Sequence, residues 1–227
     1  AAQGPAQFAV GDGLEGADLD RDGYPDVVSA HEDNHYVRLA FGTPDPDEWV
    51  RVTLAEGDEV RGAENVSVAD ANGDGYPDIL VACEVAHLVY FENPGAGART
   101  DPWPRVIPPV TLGRGSFIRA YFGDLDGDGR PEVTAANKGS EDHATGLLGL
   151  DPGRRFLDGD EREPGVRAAA GRSKSVKREI SWFGLPSRPL DGQAWDEQVL
   201  DRVDIPINAV PVDLDGDGDL DIVGGSR

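Results

Sequence analysis

Four segments of the chain repeat an acidic pattern whose residue types could bind a hard cation. Each segment reads D-x-[DN]-x-D-G-x-x-[DE], and the copies begin at Asp18, Asp70, Asp124 and Asp213. Carboxylates at alternate positions repel one another unless a cation lies between them. The glycine at position 6 allows the sharp turn that brings positions 1, 3 and 5 together. Because every donor is an oxygen atom, the pattern favours Ca²⁺ over Mg²⁺ or a soft metal.

The pattern predicts five calcium ligands in each segment, and the segments are named loop one to loop four in chain order. Positions 1, 3, 5 and 9 would contribute side-chain oxygens, and position 7 its backbone carbonyl. The predicted ligands are Asp18, Asp20, Asp22, Tyr24 and Asp26 in loop one, Asp70, Asn72, Asp74, Tyr76 and Asp78 in loop two, Asp124, Asp126, Asp128, Arg130 and Glu132 in loop three, and Asp213, Asp215, Asp217, Asp219 and Asp221 in loop four. Asn72 replaces an acid, so loop two should bind calcium more weakly than the other loops. The alternative is that the segments are acidic surface turns that bind no metal.

The residues that flank the loops predict strands rather than helices. An EF-hand needs a glutamate at position 12 and a helix on each side, but position 12 is never glutamate here. Short apolar stretches surround each loop instead, as at residues 66–69 before loop two and 79–82 after it. The order strand, acidic loop, strand is therefore the natural interpretation.

The repeat extends beyond the acidic loops. An apolar stretch ending in aromatic-x-x-Pro follows the second strand at residues 36–44, 87–94 and 179–186. A fourth strand then opens with Trp49, Trp103 or Trp195. Four short antiparallel strands in about 50 residues are typical of a β-propeller blade.

These residues resemble the FG-GAP or VCBS-type repeat, a calcium-loop blade of integrin α-subunit propellers and of many secreted bacterial proteins. The resemblance implies an all-β fold, a β-propeller that is often seven-bladed, with Ca²⁺ in the loop between the first and second strands of each blade. It also implies a secreted, extracellular or periplasmic location. It covers nearly the whole chain except roughly residues 140–178.

The blade count predicts three complete four-stranded blades and the first hairpin of a fourth. Their bounds are about residues 18–54, 66–107, 117–200 and 207–227. Because an incomplete blade leaves an open sheet edge, we expect the remainder of a larger propeller as a partner. The alternative is a compact four-bladed form in which residues 7–10 supply a missing strand.

Residues 151–179 interrupt the third blade with eight Lys or Arg residues. This basic insertion should be mobile, either solvated or docked on an acidic partner.

The composition excludes several classes of partner. With 43 acidic residues against 21 basic ones, the formal charge is −22, which disfavours nucleic acid and anionic membranes. No apolar run is long enough for a transmembrane segment, and no leader precedes Ala1, so we expect a soluble chain whose export signal has been removed. Cys83 is the single cysteine, which rules out an internal disulfide and indicates a buried, inert thiol.

A ligand site is predicted on the face opposite the acidic loops, where the second-to-third strand loops and the blade connections lie. Its candidate residues carry charge or can transfer protons. They are His31, Glu32, Arg61, Glu84, His87 and Arg114. The favoured function is a secreted, calcium-stabilised module that binds a protein or glycan; the alternative is a carbohydrate-active enzyme of the polysaccharide lyase or sugar dehydratase type. A zinc or iron site formed by His31, His35, Glu84 and His87 is a further hypothesis. No hydrolase or nucleotide-binding motif is present.

Overall fold

The structure, a computed structural model, describes residues 13–139 and 177–227. Its elements are short antiparallel strands, joined by loops and by three 3₁₀ helices at Asp58–Val60, Gly95–Gly97 and Gly192–Ala194. The strands are β1 (Gly13–Ala17), β2 (Asp26–His31), β3 (Tyr36–Phe41), β4 (Val50–Glu56), β5 (Ala63–Ala69), β6 (Asp78–Cys83), β7 (Leu88–Phe91), β8 (Arg105–Val106), β9 (Phe117–Gly123), β10 (Glu132–Asn137), β11 (Arg178–Gly184), β12 (Asp196–Val203), β13 (Pro206–Val212) and β14 (Asp221–Ser226). The strand proposed for residues 7–10 and most of the basic insertion lie outside the described residues. Among the described residues, no helix has the length and apolar character needed to cross a bilayer.

The strands form three four-stranded sheets and one hairpin. Sheets β1–β4, β5–β8 and β9–β12 are antiparallel with neighbours in sequence order, and β13 pairs with β14. We call these sheets blades one to four. The first strands of successive blades lie side by side, β1 against β5, β5 against β9 and β9 against β13. The predicted fold class, three complete propeller-like blades and the first hairpin of a fourth, is confirmed.

Blade one begins at Gly13, five residues before the boundary taken from the sequence. Strand β1 pairs with β2 from Gly13 opposite Ala30 to Ala17 opposite Asp26. The segment Gly-Leu-Glu-Gly-Ala carries no β-branched residue, so it gave no strand signal. The glycine is required by close packing, because a Cβ atom at Gly13 would lie 2.7 Å from the Cα atom of Asn65 in β5. Close packing against β5 therefore accounts for the glycine at the start of this strand.

The hydrophobic core lies between the blades. Strand β6 is buried along its whole length and presents alternate residues to opposite neighbours. Ile79, Val81 and Cys83 pack in the cluster shared with blade one. Leu80 and Ala82 pack in the cluster shared with blade three. A blade with a neighbour on each face thus needs a continuous apolar strand. Cys83 is the buried thiol expected from the sequence, and burial raises its pKa.

The three repeat tryptophans show how each blade covers the one after it. Trp103 and Trp195 are each only 4% exposed, and each packs in the cluster between its own blade and the preceding blade. Trp49 is 39% exposed, because no sheet precedes blade one among the described residues. All three indole N–H groups donate to a backbone carbonyl three to six residues earlier, at Pro46, Ala98 and Pro189. The side chain therefore keeps its local position whether or not a neighbouring blade covers it.

Polar side chains join the first strands of neighbouring blades. Asn65 Oδ1 accepts from the amide of Ala120 at 3.0 Å, and Ser67 Oγ accepts from the amide of Phe122 at 3.1 Å. The first strand of a blade has one edge without a strand partner, so its amides need acceptors of another kind. Side chains of the preceding blade supply them.

Candidate metal centres

Each acidic loop joins the first and second strands of its blade. Loop one lies between β1 and β2, loop two between β5 and β6, loop three between β9 and β10, and loop four between β13 and β14. The glycine at position 6 has a positive φ in every copy, as at Gly23 (89°) and Gly218 (99°). This backbone conformation favours glycine, and the sharp turn is the one expected from the sequence.

The aspartate at position 1 closes the loop on itself. Asp18 accepts hydrogen bonds from the amides of Asp22 and Gly23, both at 3.1 Å. Asp70, Asp124 and Asp213 each accept from the amide of the position 6 glycine in their own loop, at 2.8 to 3.2 Å. A side chain that binds the amides of its own loop holds the following positions in place.

The side chains at positions 3 and 5 each give one oxygen to the backbone. Asp20 Oδ1 accepts from the amide of Asp22 at 3.3 Å, and Asp22 Oδ1 accepts from the amide of Tyr24 at 2.9 Å. The same pair of bonds recurs in the other three loops. These turns do not use the second oxygen of each carboxylate; in loop one it binds Arg99, and in loop two that of Asp74 accepts from the side-chain amide of Asn72.

The carboxylate at position 9 anchors the loop to the blade, a role that sequence reasoning missed. Asp26 is fully buried and accepts from the amides of Leu19 at 2.7 Å and Gly42 at 2.8 Å. Asp78 accepts from the amides of Ala71 and Asn93 and from the hydroxyl of Tyr90. The acid therefore joins position 2 of its loop to the segment that follows the third strand. Its place at the start of an apolar strand was the available signal for burial.

Burial and mutual repulsion disfavour the charge on these acids. Burial raises the pKa of Asp78 to about 6, although hydrogen bonds from Asn93, Tyr90 and Ala71 oppose the shift. The pKa values of Asp26 and Glu132 are also raised, by burial first and then by the other carboxylates of their loops. A cation among these carboxylates would lower the pKa values again.

In three of the four loops, carboxylate oxygen atoms lie close enough together to hold a metal ion. In loops one, three and four, three carboxylates each offer an oxygen atom, and the three atoms lie within 4.8 Å of one another. The triads are Asp18, Asp20 and Asp22; Asp124, Asp126 and Glu132; and Asp213, Asp215 and Asp217. In loop two the amide of Asn72 donates to Asp74 at 3.0 Å. A donor set of oxygen atoms on a tight loop fits Ca²⁺. In loop one, the positively charged guanidinium of Arg99 pairs with Asp20 and Asp22.

Two of the six predicted ligand-site residues meet on the face opposite the loops. Glu32 and Glu84 lie with Glu64 so that one oxygen from each is within 4.8 Å of the others. Glu84 pairs with Lys138, and Glu64 pairs with Arg119 at 2.8 Å. We call these five residues the opposite-face cluster; they come from blades one, two and three. Burial raises the pKa of Glu64, and the positive charge of Arg119 opposes that shift.

The histidines beside this cluster bind the protein's own groups. His87 Nε2 is 2.8 Å from the carbonyl of Glu59, and His35 Nδ1 accepts from the amide of Gly62 at 3.1 Å. His31 Nε2 lies 3.0 Å from Ser29 Oγ, and its ring contacts Tyr36 with centroids 4.3 Å apart. Within the described ranges, the groups of side chains that could hold a metal contain carboxylates and no histidine. The hypothesis of a zinc or iron site therefore has no support in this part of the chain.

The two predicted ligand-site arginines differ in their surroundings. Arg61 is exposed at the end of the blade one to blade two connection. Arg114 pairs with Glu179 at 2.6 Å and with Glu197, and it donates to the carbonyl of Val110. Arg114 thus ties the connection before blade three to strands β11 and β12 instead of joining the opposite-face cluster.

Known proteins provide a family for this arrangement. The model of the FG-GAP-like repeat matches residues 18–81 and again residues 72–135. The two matches together span residues 18–135, which is more than half of the 227-residue chain and includes loops one to three. Among curated proteins, none matches the sequence. From the two matches and the repeated blade of strand, acidic loop and strand, we conclude that the chain belongs to the FG-GAP-like repeat family.

Proposed function

We propose that the chain is a calcium-stabilised β-propeller module in which each acidic loop binds one Ca²⁺. The observation that supports this best is in loop four, where Asp215 and Asp217 each accept a backbone amide and, with Asp213, offer carboxylate oxygens within 4.8 Å of one another. Positions 1, 3 and 5 would hold the ion from one side, with the carbonyl at position 7 and the acid at position 9 completing the shell. The ion would supply positive charge between carboxylates that otherwise repel one another.

The proposed role of the ions is to hold the folded state together. Four divalent ions would carry eight positive charges, against a formal charge of −22 for the chain. Because the folded loop gathers ligands that the unfolded chain disperses, calcium should bind the folded form preferentially. Each site would then stabilise the fold by about 2.7 kcal/mol when free calcium is a hundredfold above the dissociation constant.

Two loop variants should change calcium binding in opposite directions. Asp126→Ala removes a ligand from loop three and should eliminate one site, whereas Asn72→Asp restores a full acidic set in loop two and should strengthen its site. Calcium titration by calorimetry, beside the native chain, measures both. The assignment of ligands would be contradicted if Asp126→Ala bound as many calcium ions as the native chain. It would also be contradicted if loop two bound calcium more weakly in Asn72→Asp.

The proposal includes a location outside the cytoplasm and a protein or glycan partner on the face opposite the loops. Extracellular calcium modules have dissociation constants of about 10⁻⁴–10⁻³ M, which high external calcium can fill. On the opposite face, charged groups of three blades meet in the opposite-face cluster, and Arg61 is exposed nearby. This mixture of charges suits a partner with its own charged or hydroxyl groups.

Arg61→Ala should weaken the binding of acidic glycans, because an exposed guanidinium can donate two hydrogen bonds to a carboxylate or sulfate. We expect about a threefold to tenfold loss on an array of acidic and neutral glycans, larger at low salt. Arg51→Ala on β4 is the control with the same loss of charge. Equal binding by the native chain and both variants would contradict a ligand site at Arg61. Release of glycan products in the same assay would favour the enzyme alternative.

A further inference from the structure

Arg99 reaches from blade two into the calcium loop of blade one. It lies in the connection between β7 and β8, and its Nε and Nη2 atoms bind the Oδ2 atoms of Asp20 and Asp22. Nη2 also donates to the carbonyl of Gly42 at 3.2 Å, and the guanidinium carbon lies 5.3 Å from the centre of the Phe41 ring. The side chain of Arg99 is 31% exposed, and that of Asp20 is 9% exposed. Several groups therefore hold the guanidinium, although it is partly exposed.

The oxygen atoms that Arg99 binds are the ones left for a metal ion. In loop one the Oδ1 atoms of Asp20 and Asp22 accept backbone amides, so the Oδ2 atoms remain. Arg99 occupies both of these Oδ2 atoms. Because guanidinium donors and Ca²⁺ compete for the same lone pairs, the two cations cannot both use this pair of oxygens fully.

Loop one differs in this respect from the other loops. Among the ion pairs of the described residues, those of Arg99 are the ones that involve an acidic-loop carboxylate. Loop three has the same backbone bonds at Asp126 and Asp128, and its acids at positions 1, 3 and 9 form a triad. The competing cation is thus a property of loop one and of the connection that carries Arg99.

We propose that Arg99 is a built-in competitor of calcium at loop one. The inference rests on the proposed function, since it concerns how one of the four calcium sites is filled. Calcium entering loop one displaces the guanidinium from Asp20 and Asp22, so this loop fills at a higher calcium concentration than loop three. The same displacement removes one contact between the β7–β8 connection of blade two and blade one, whereas the contacts of Asn93 and Trp103 remain. Loop one therefore links calcium concentration to a contact between two blades.

The test is a calcium titration of Arg99→Gln by calorimetry, with Arg105→Gln as the matched control. Arg105 lies in the same blade, loses the same charge on substitution and pairs with Glu59 away from the loops. We expect Arg99→Gln to raise the affinity of one site about tenfold, because a charge-assisted double hydrogen bond no longer opposes the ion. The number of sites and the other affinities stay unchanged. Arg105→Gln leaves all affinities at their native values.

Two further variants assign the effect to the pairing itself. Arg99→Lys keeps the charge but loses the fork that binds two carboxylates, so its affinity should lie between those of the native chain and Arg99→Gln. In an Asp20→Asn background, Arg99→Gln should give a smaller gain than in the native background, because only the carboxylate of Asp22 then remains for the arginine and calcium to share. In chelator, Arg99→Gln should melt below the native chain, since the metal-free loop has lost its resident cation.

The outcomes separate this inference from the proposed function. An unchanged or weaker site in Arg99→Gln, with all calcium sites still filled, overturns the competitor role and leaves the calcium sites intact. A gain of equal size in Arg105→Gln also overturns it, because the effect would then be one of net charge. A chain that binds no calcium in any variant overturns the proposed function together with this inference.

Discussion

Chelation of calcium should lower the melting temperature of the chain by more than about 10 °C. Removal of one filled site costs about 2.7 kcal/mol at a hundredfold excess of calcium, and 1 kcal/mol corresponds to roughly 2–4 °C in a chain of this size. The chain offers four acidic loops, and each would retain repelling carboxylates after the ion leaves. Differential scanning calorimetry with excess calcium and with excess chelator measures the shift.

The control for chelation is a third melt in which magnesium replaces calcium after chelation. Magnesium requires near-ideal octahedral geometry and gives up its water reluctantly, so it should restore only a small part of the shift. Full recovery with magnesium would indicate general screening of negative charge instead of a fitted site. Identical melts in calcium and in chelator would contradict calcium stabilisation altogether.

Asp78→Ala should be the most damaging single substitution in the acidic loops. Asp78 is fully buried, and the change would leave the amides of Ala71 and Asn93 and the hydroxyl of Tyr90 without their acceptor. Each buried donor that loses its acceptor costs about 1–3 kcal/mol, so we expect a loss of about 3 kcal/mol or more in the free energy of unfolding. Urea unfolding in chelator measures this cost apart from the lost calcium ligand.

Two control variants separate the anchoring role of Asp78 from its charge. Asp78→Asn keeps an acceptor oxygen, and because burial raises the pKa of Asp78, the neutral amide should cost less than alanine in chelator. In calcium buffer the difference between Asp78→Asn and the native chain should widen, because a charged ligand is lost. Asp47→Ala, an exposed carboxylate outside the loops, should stay within about 0.5 kcal/mol of the native chain. A cost for Asp78→Ala as small as that of Asp47→Ala would refute the anchoring role.

The sequence predicted the features that depend on short-range spacing. Alternate acids with a glycine at position 6 located all four loops, and the apolar stretches with their repeat tryptophans located the blades. Each of these patterns is complete within a few neighbouring residues, so it can be recognised in the sequence alone. Strand β1 was not recognised because Gly13–Ala17 contains no β-branched or aromatic residue, and close packing against Asn65 requires the glycine at its start.

The features that sequence reasoning missed join residues far apart in the chain. Arg99 lies 79 residues from Asp20 and 77 from Asp22, and only the packing of blade two on blade one brings them together. Glu64 and Arg119 likewise meet because β5 and β9 are neighbouring first strands. In a stack of blades, each interface is formed by residues of neighbouring repeats, so the pattern within one repeat does not reveal it.

The most direct test of calcium binding by the folded loops is equilibrium dialysis of the chain against calcium, in native buffer and in a denaturing concentration of urea. The bound metal is then counted by elemental analysis. We predict one ion for each of the four acidic loops in the folded chain and almost none in the unfolded chain, because only the fold gathers the ligands. A folded chain that retains no calcium, or an unfolded chain that retains as much, would contradict a structure held together by calcium.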